Sequence, residues 1–258
     1  MKKAILAILG AVLATSAAAQ QGDTSPHYYA RPTAAAGAAH PWLILLPGGG
    51  GMNVNGDEEV YFDKAAEWNA AGWDVLLVHY QEAAKLLPAA ESDNPAKMEA
   101  AVVADALRVA REKGLLDLQC PGMVMGFSMG GAGALALAAA PPANLVGAIG
   151  FYPLTRGQPA RYAPKVPLLV LQGDLDQATT RVALDKLVAG STDRSKISVF
   201  HLPNAHHAFD IPSLEEPWIY NGMTFEYHNG AALMAQAEVE SFRRVHLARA
   251  NAPAECRN

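Results

Sequence analysis

Gly126-Phe127-Ser128-Met129-Gly130 is a Gly-x-Ser-x-Gly pentapeptide lying between an apolar run, residues 123–125, and an alanine-rich stretch. On a sharp strand-to-helix turn such a serine presents its hydroxyl above a sheet, with glycine on either side because the crossing is tight. The same five residues also arise as a plain turn in a glycine-rich chain. A serine hydroxyl is a weak nucleophile until a base takes its proton, so the chemistry needs a histidine oriented by a carboxylate. Candidate carboxylates follow in Gly173-Asp174-Leu175-Asp176, and candidate histidines in Asn204-Ala205-His206-His207-Ala208-Phe209. Serine, aspartate, histidine is one of the chain orders in which this constellation occurs. Asp176 and His207 are the better placed. Asp174 sits so close to the preceding apolar run that a turn-stabilising role suits it, and His206 is adjacent to His207 in a loop, where neighbouring side chains usually point different ways.

Pro47-Gly48-Gly49-Gly50-Gly51 offers no side-chain chemistry but a run of backbone N–H groups. Those of Gly49 and Met129, with Gly50 as the alternative to Gly49, could hold an oxyanion formed during acyl transfer. A phosphate loop would need Lys-Ser/Thr after the glycines, where Met52-Asn53 stands. A dinucleotide fingerprint fails too, because the glycines are contiguous. The pair His206-His207 could be half of a metal site, yet no Glu-x-x-His or Cys-x-x-Cys spacing accompanies it. No cofactor is called for.

These groups need elements to position them, and the chain supplies a regular alternation. Residues 42–46 are a continuous apolar run stopped by Pro47, as for a strand buried on both faces. The pattern predicts a helix over 58–71 closed by Gly72 and a strand over 74–80. A helix then runs from a cap at Asn94, with Pro95 at its first position, to Lys113 and Gly114. Met98, Val102, Ala106 and Val109 are expected on its inner face. There follow a short strand at 123–125, the alanine-rich helix to 140, strands at 145–152 and 167–171, a helix at 177–188 and a strand at 197–202. A last amphipathic helix over 231–248 carries Ala235, Val239, Phe242 and Val245 on one face. Strand and helix in alternation imply the α/β class, a mainly parallel sheet with helices on both faces. Ligands bind beyond the carboxyl ends of such strands, where all four groups named above fall.

Of the 258 residues, 51% are hydrophobic and 17% charged, which excludes a disordered chain and suits one generous core. Two cysteines are too few for a disulfide-dense scaffold, and a net charge of −5 offers no basic footprint for nucleic acid. Met1-Lys2-Lys3, an apolar stretch over 4–14 and Ala17-Ala18-Ala19 have the layout of a secretory signal peptide. That stretch is too short to span a membrane, and no later one is long and apolar enough. The expected organisation is therefore a signal peptide at 1–19, a loop-like leader at 20–39, one domain at 40–250 and a tail at 251–258. The protein is expected in a periplasm or the medium. There Cys120 and Cys256 could bond, the alternative being two free thiols with one in a frayed terminus. Nothing in the sequence bears on oligomeric state.

On these motifs the chain resembles the α/β-hydrolase superfamily and, within it, the dienelactone hydrolase family, over residues 42–248. The likeness is densest at residues 202–210, where the family's Pro-Gly-Ala-x-His-x-Phe pattern puts the family histidine on His207. Its Gly-x-x-Asp falls on Gly173 and Asp176, and its Gly-x-Cys-x-Gly-Gly on Gly126, Ser128, Gly130 and Gly131. Two departures stand out. Ser128 replaces the family's cysteine, and Pro47 and Gly48 replace a His-Glu whose glutamate helps control the thiol. A serine served by His207 dispenses with that control. The Pro-Gly-Gly-Gly loop is similar to that of small esterases acting on acylated carbohydrates.

The resemblance and the residues together imply a serine hydrolase of carboxylic esters, with a small-molecule ester as its substrate. Two other functions share these residues: a serine peptidase on the same fold, which usually carries an added substrate domain, and a binding protein that keeps the fold without turnover. The segment 210–227, with Trp218, Tyr220 and Phe225, either walls the pocket or, more simply, packs the last helix. Arg156 and Arg161 either bind an anionic substrate or lie on a solvated loop.

Overall fold

Runs such as Trp42 to Leu46 leave no face for water, and the chain buries them at the centre of a sheet. The structure, a computed structural model, describes residues 20–21, 27–30, 39–87, 93–250, 253 and 256. Its strands are β1 (Gln20–Gln21), β2 (Tyr28–Ala30), β3 (Trp42–Leu46), β4 (Asp74–Leu77), β5 (Gly122–Phe127), β6 (Leu145–Phe151), β7 (Leu168–Gly173) and β8 (Ile197–Leu202). They pair in the order β1-β2-β4-β3-β5-β6-β7-β8. From β4 to β8 the neighbours are parallel, and β1 and β2 are antiparallel at one edge. A separate hairpin pairs β9 (Trp218–Tyr220) with β10 (Met223–Phe225).

Alternate residues of each central strand enter opposite cores. Leu43, Leu45, Met125, Phe127 and Ile149 pack with α1 (Val60–Ala70) and α6 (Asn229–Arg249). Trp42, Ile44, Leu46, Val124 and Val170 pack with α2 (Tyr80–Leu86), α3 (Pro95–Glu112), α4 (Met129–Ala139) and α5 (Arg181–Gly190). Burial of each such large side chain is worth about 1.5–3 kcal/mol. α4 is apolar all round, as befits a helix enclosed by β5, β6 and α3. The expected α/β class, a mainly parallel sheet between helices, is the observed one.

Several expectations need correction. The loop-like leader at 20–39 contains β1 and β2, because β4 has an outer edge of backbone groups that β2 pairs along Val75 to Leu77. The strand placed at 74–80 ends at Leu77, since Tyr80 turns inward to open α2. The helix placed at 177–188 begins only at Arg181, capped by Thr180, because the backbone just before it is folded around Asp176. Val109 and Val245 are not core residues. The buried face of α3 is Val102, Val103, Ala106, Leu107 and Ala110, and Val245 lies 40% exposed toward the end of α6. The signal peptide at 1–19 lies outside the described residues. Of the tail at 251–258, Cys256 is described, buried and disulfide-bonded to Cys120.

Candidate active site

β3 leads outward to β4, and the chain then returns across β3 to β5, so the strand order reverses between β3 and β5. That switch point opens a crevice at the carboxyl ends of the two strands. Ser128 follows β5 there with φ +52° and ψ −110°, a conformation that side chains rarely adopt. A Cβ at Gly126 would collide with the Gly130 carbonyl, and one at Gly130 with the carbonyls of Leu46 and Pro47. The pentapeptide thus turns as its glycines require. The Ser128 N–H donates to Phe151 O (3.0 Å), its carbonyl accepts from Leu154 N–H (2.7 Å), and α4 begins at the next residue. The positive end of that helix lies under the hydroxyl.

The other predicted groups converge on it. His207 Nε2 lies 2.9 Å from Ser128 Oγ, and His207 Nδ1 lies 2.8 Å from Asp176 Oδ2. Asp176 is also held by its surroundings: Oδ1 accepts the N–H groups of Ala178 and Thr179 (2.8 and 2.9 Å), and Oδ2 accepts Gln172 Nε2 (3.1 Å). Thr179 Oγ1 stands 2.8 Å from both Asp176 Oδ2 and the Tyr152 carbonyl. Burial pushes the Asp176 carboxyl up, but the hydrogen bond and charge of His207, together with Thr179, hold it below the ordinary aspartate value. An ionised Asp176 fixes the imidazole proton on Nδ1, which leaves Nε2 as an acceptor facing the serine.

Asp174 is elsewhere, paired with Arg181 (3.2 Å) and 3.6 Å from His201. His206 turns away to Glu226 (3.7 Å). Arg156 and Arg161 are exposed and do not line the cavity above Ser128.

The glycine loop closes one side. Gly48 is pinned twice, its N–H donating to Tyr61 Oη (2.8 Å) and its carbonyl accepting from Tyr80 Oη (2.6 Å). Burial raises both phenols far above their usual range, so each keeps its proton. Gln81 Nε2 holds the Gly49 carbonyl (2.7 Å). Gly49 then faces Met129: a Cβ built on it would lie 3.8 Å from the Met129 Cβ. The two N–H groups expected to share an oxyanion therefore belong to neighbouring residues, while that of Gly48 is already used.

Sequence reasoning missed a second layer. Tyr152, at φ +38° just past β6, lays its ring 4.4 Å from that of His207. Its hydroxyl donates to Asp210 Oδ1 (2.7 Å), and Asp210 pairs with Lys64 (2.6 Å). Phe225 of β10 also meets the imidazole, 4.9 Å away edge to face. Only the position of Tyr152 at a strand end could have drawn attention to it. The hairpin β9–β10 walls a cavity of about 430 Å³ above Ser128 with Trp218, Tyr220, Met223 and Phe225. Packing of the last helix was the simpler expectation for this segment, and it understates what these rings do.

Residues 80–246 match the model of a family described as the dienelactone hydrolase family. Among solved structures, the chain is similar to a dienelactone hydrolase-like promiscuous phosphotriesterase from metagenomic libraries. That likeness has 16% identity and a TM-score of 0.67, covering 85% of this chain and 92% of that one. It is also similar to a carboxylesterase from Lactobacillus plantarum (17% identity, 89% and 98% covered, TM-score 0.58). Esterase 2 from Thermogutta terrifontis, phosphoramylated by tabun, is a third (13% identity, 86% and 89% covered, TM-score 0.57). At such identities the likeness is one of fold, the α/β-hydrolase fold. No curated protein sequence matches the chain.

Proposed function

The chain belongs to the dienelactone hydrolase family and is a hydrolase of ester bonds, and from that premise we propose that it is a serine carboxylesterase working through Ser128, His207 and Asp176. The observation that carries this reading is the 2.9 Å approach of His207 Nε2 to Ser128 Oγ, with Asp176 on the opposite ring nitrogen. Ser128 Oγ attacks the ester carbonyl as Nε2 takes its proton, and the carbonyl oxygen becomes an oxyanion held by the N–H groups of Gly49 and Met129. The C–O bond to the alcohol then breaks, and the imidazolium returns its proton to the departing oxygen. A water molecule, deprotonated by His207, attacks the acyl-serine in the same geometry; the bond from the acyl carbon to Oγ breaks, the imidazolium returns its proton to Ser128 Oγ, and the acid leaves.

Asp176 stays ionised throughout and stabilises the imidazolium between the two proton transfers. Among the described residues no helix is long and apolar enough to cross a membrane, and the substrate is a small molecule that fits the cavity. We read residues 1–19 as a signal peptide and the protein as exported. The Cys120–Cys256 disulfide, a bond that persists in oxidising compartments, supports this. N-terminal sequencing of protein recovered from a periplasmic extract checks it.

The catalytic proposal is tested by hydrolysis of p-nitrophenyl acetate. Ser128→Ala should lower kcat by about 10⁴-fold or more while leaving thermal unfolding in place. Activity retained by that variant would contradict it.

A further inference from the structure

The cavity above Ser128 has a chemistry that the triad does not dictate. None of the described residues lining it is a lysine, arginine, aspartate or glutamate. Lys64 and Asp210, outside that lining, pair with each other, and Tyr152, which lines the cavity, donates its hydroxyl to Asp210. One wall is continuous aromatic surface. The Trp218 ring lies 5.2 Å from Tyr220 and 5.0 Å from Phe225, and Phe225 in turn touches His207. Tyr220 is 50% exposed at the mouth, so apolar area there is still open to be covered.

We propose that this cavity selects esters carrying an uncharged aromatic ring and rejects esters carrying a carboxylate. A ring leaving water for this wall gains both area burial and the edge or face contacts that aromatic groups favour. A carboxylate in the same place would lose its hydration and meet no cation. The volume of about 430 Å³ lies in the range that encloses a ligand of this kind. For turnover the inference rests on the esterase reading, but for binding it does not.

Wild-type protein is assayed on ethyl acetate, benzyl acetate, methyl 3-phenylpropanoate and the para-carboxy derivative of each aromatic ester. We expect one aromatic ester to exceed ethyl acetate by about tenfold or more in kcat/KM. Its carboxylated derivative should fall about a hundredfold below it. The two aromatic esters tell whether the ring sits on the acyl or the alcohol side. In Trp218→Ala the advantage of the aromatic ester over ethyl acetate should shrink about fivefold or more, through KM.

A carboxylated derivative turned over as fast as its parent, or no aromatic advantage in wild type, overturns the inference. A calorimetric titration of Ser128→Ala with 4-phenylbutan-2-one and its para-carboxylate reads the cavity without turnover. The neutral ketone should bind about tenfold tighter or more, even if no ester is hydrolysed. Equal binding overturns the inference even in an active esterase.

Discussion

Asp176→Asn isolates the role of the carboxylate, because it alters charge and donor pattern while keeping shape. Oδ1 accepts two backbone N–H groups, from Ala178 and Thr179, that cannot turn away. The amide oxygen of the substituted side chain must therefore occupy that position, which puts its NH₂ where Oδ2 now stands. There it faces His207 Nδ1 at 2.8 Å and Gln172 Nε2 at 3.1 Å. Two donors cannot share a hydrogen bond, so Nδ1 must become the acceptor and the imidazole proton moves to Nε2. The nitrogen 2.9 Å from Ser128 Oγ then donates instead of accepting.

The base is lost through a change of tautomer, with His207 and Ser128 both still present. Loss of the productive tautomer costs about 10⁴-fold in kcat, or about 5 kcal/mol of transition-state stabilisation. The assay is p-nitrophenyl acetate hydrolysis, with circular dichroism to establish that the variant folds. Asp174→Asn is the control: this exposed carboxylate pairs with Arg181 and lies near His201, and the variant should stay within about twofold of wild type, as surface changes do. A folded Asp176→Asn protein within tenfold of wild type would refute the reasoning.

Three further outcomes are expected. The Cys120–Cys256 bond spans 136 residues, and the chain-entropy relation for a loop of that length gives about 5 kcal/mol. Cys120→Ala should therefore lower the urea midpoint sharply, and an unchanged midpoint would contradict the estimate. Tyr152→Phe and Asp210→Asn should each cost about 1–3 kcal/mol of stability and lower kcat, with losses that do not add in the double variant. Additive losses would mean that the two side chains act separately.

Glu99 is fully buried in α3, facing the backbone N–H of Gly133, and burial pushes its carboxyl well above the usual range. The folded state then holds a proton that the unfolded state releases, so stability falls as pH rises above the ordinary glutamate value, by about 1.4 kcal/mol per unit until the folded group ionises. Glu99→Gln should remove that slope above the ordinary glutamate range, as read by chemical unfolding at each pH. A slope identical to wild type would count against it.

The meeting of Ser128, Asp176 and His207 was legible because each has a local signature. Gly126 to Gly130 sits at a strand-to-helix junction, and Asp176 and His207 each follow an apolar run in the expected chain order. What was hidden depends on contacts across the fold. Lys64, Tyr152 and Asp210 are far apart in sequence and come together only where α1, the end of β6 and the histidine loop meet. Gln172 reads as another position of a strand, yet its amide reaches Asp176. The start of α5 was misplaced because helix propensity over 177–180 loses to the hydrogen bonds that the Asp176 carboxylate draws from that backbone. β1 and β2 carry no hydrophobic period of their own: β2 pairs along the open edge of β4, and β1 pairs with β2.

Covalent labelling of Ser128 tests the central claim most directly. A fluorophosphonate reacts with a serine activated by a neighbouring base, and the adduct is located by peptide mass spectrometry. Stoichiometric modification of the peptide containing Ser128, lost in Ser128→Ala and slowed in Asp176→Asn, is the predicted result. A folded protein that resists the probe, or that carries it on another residue, would contradict the proposal.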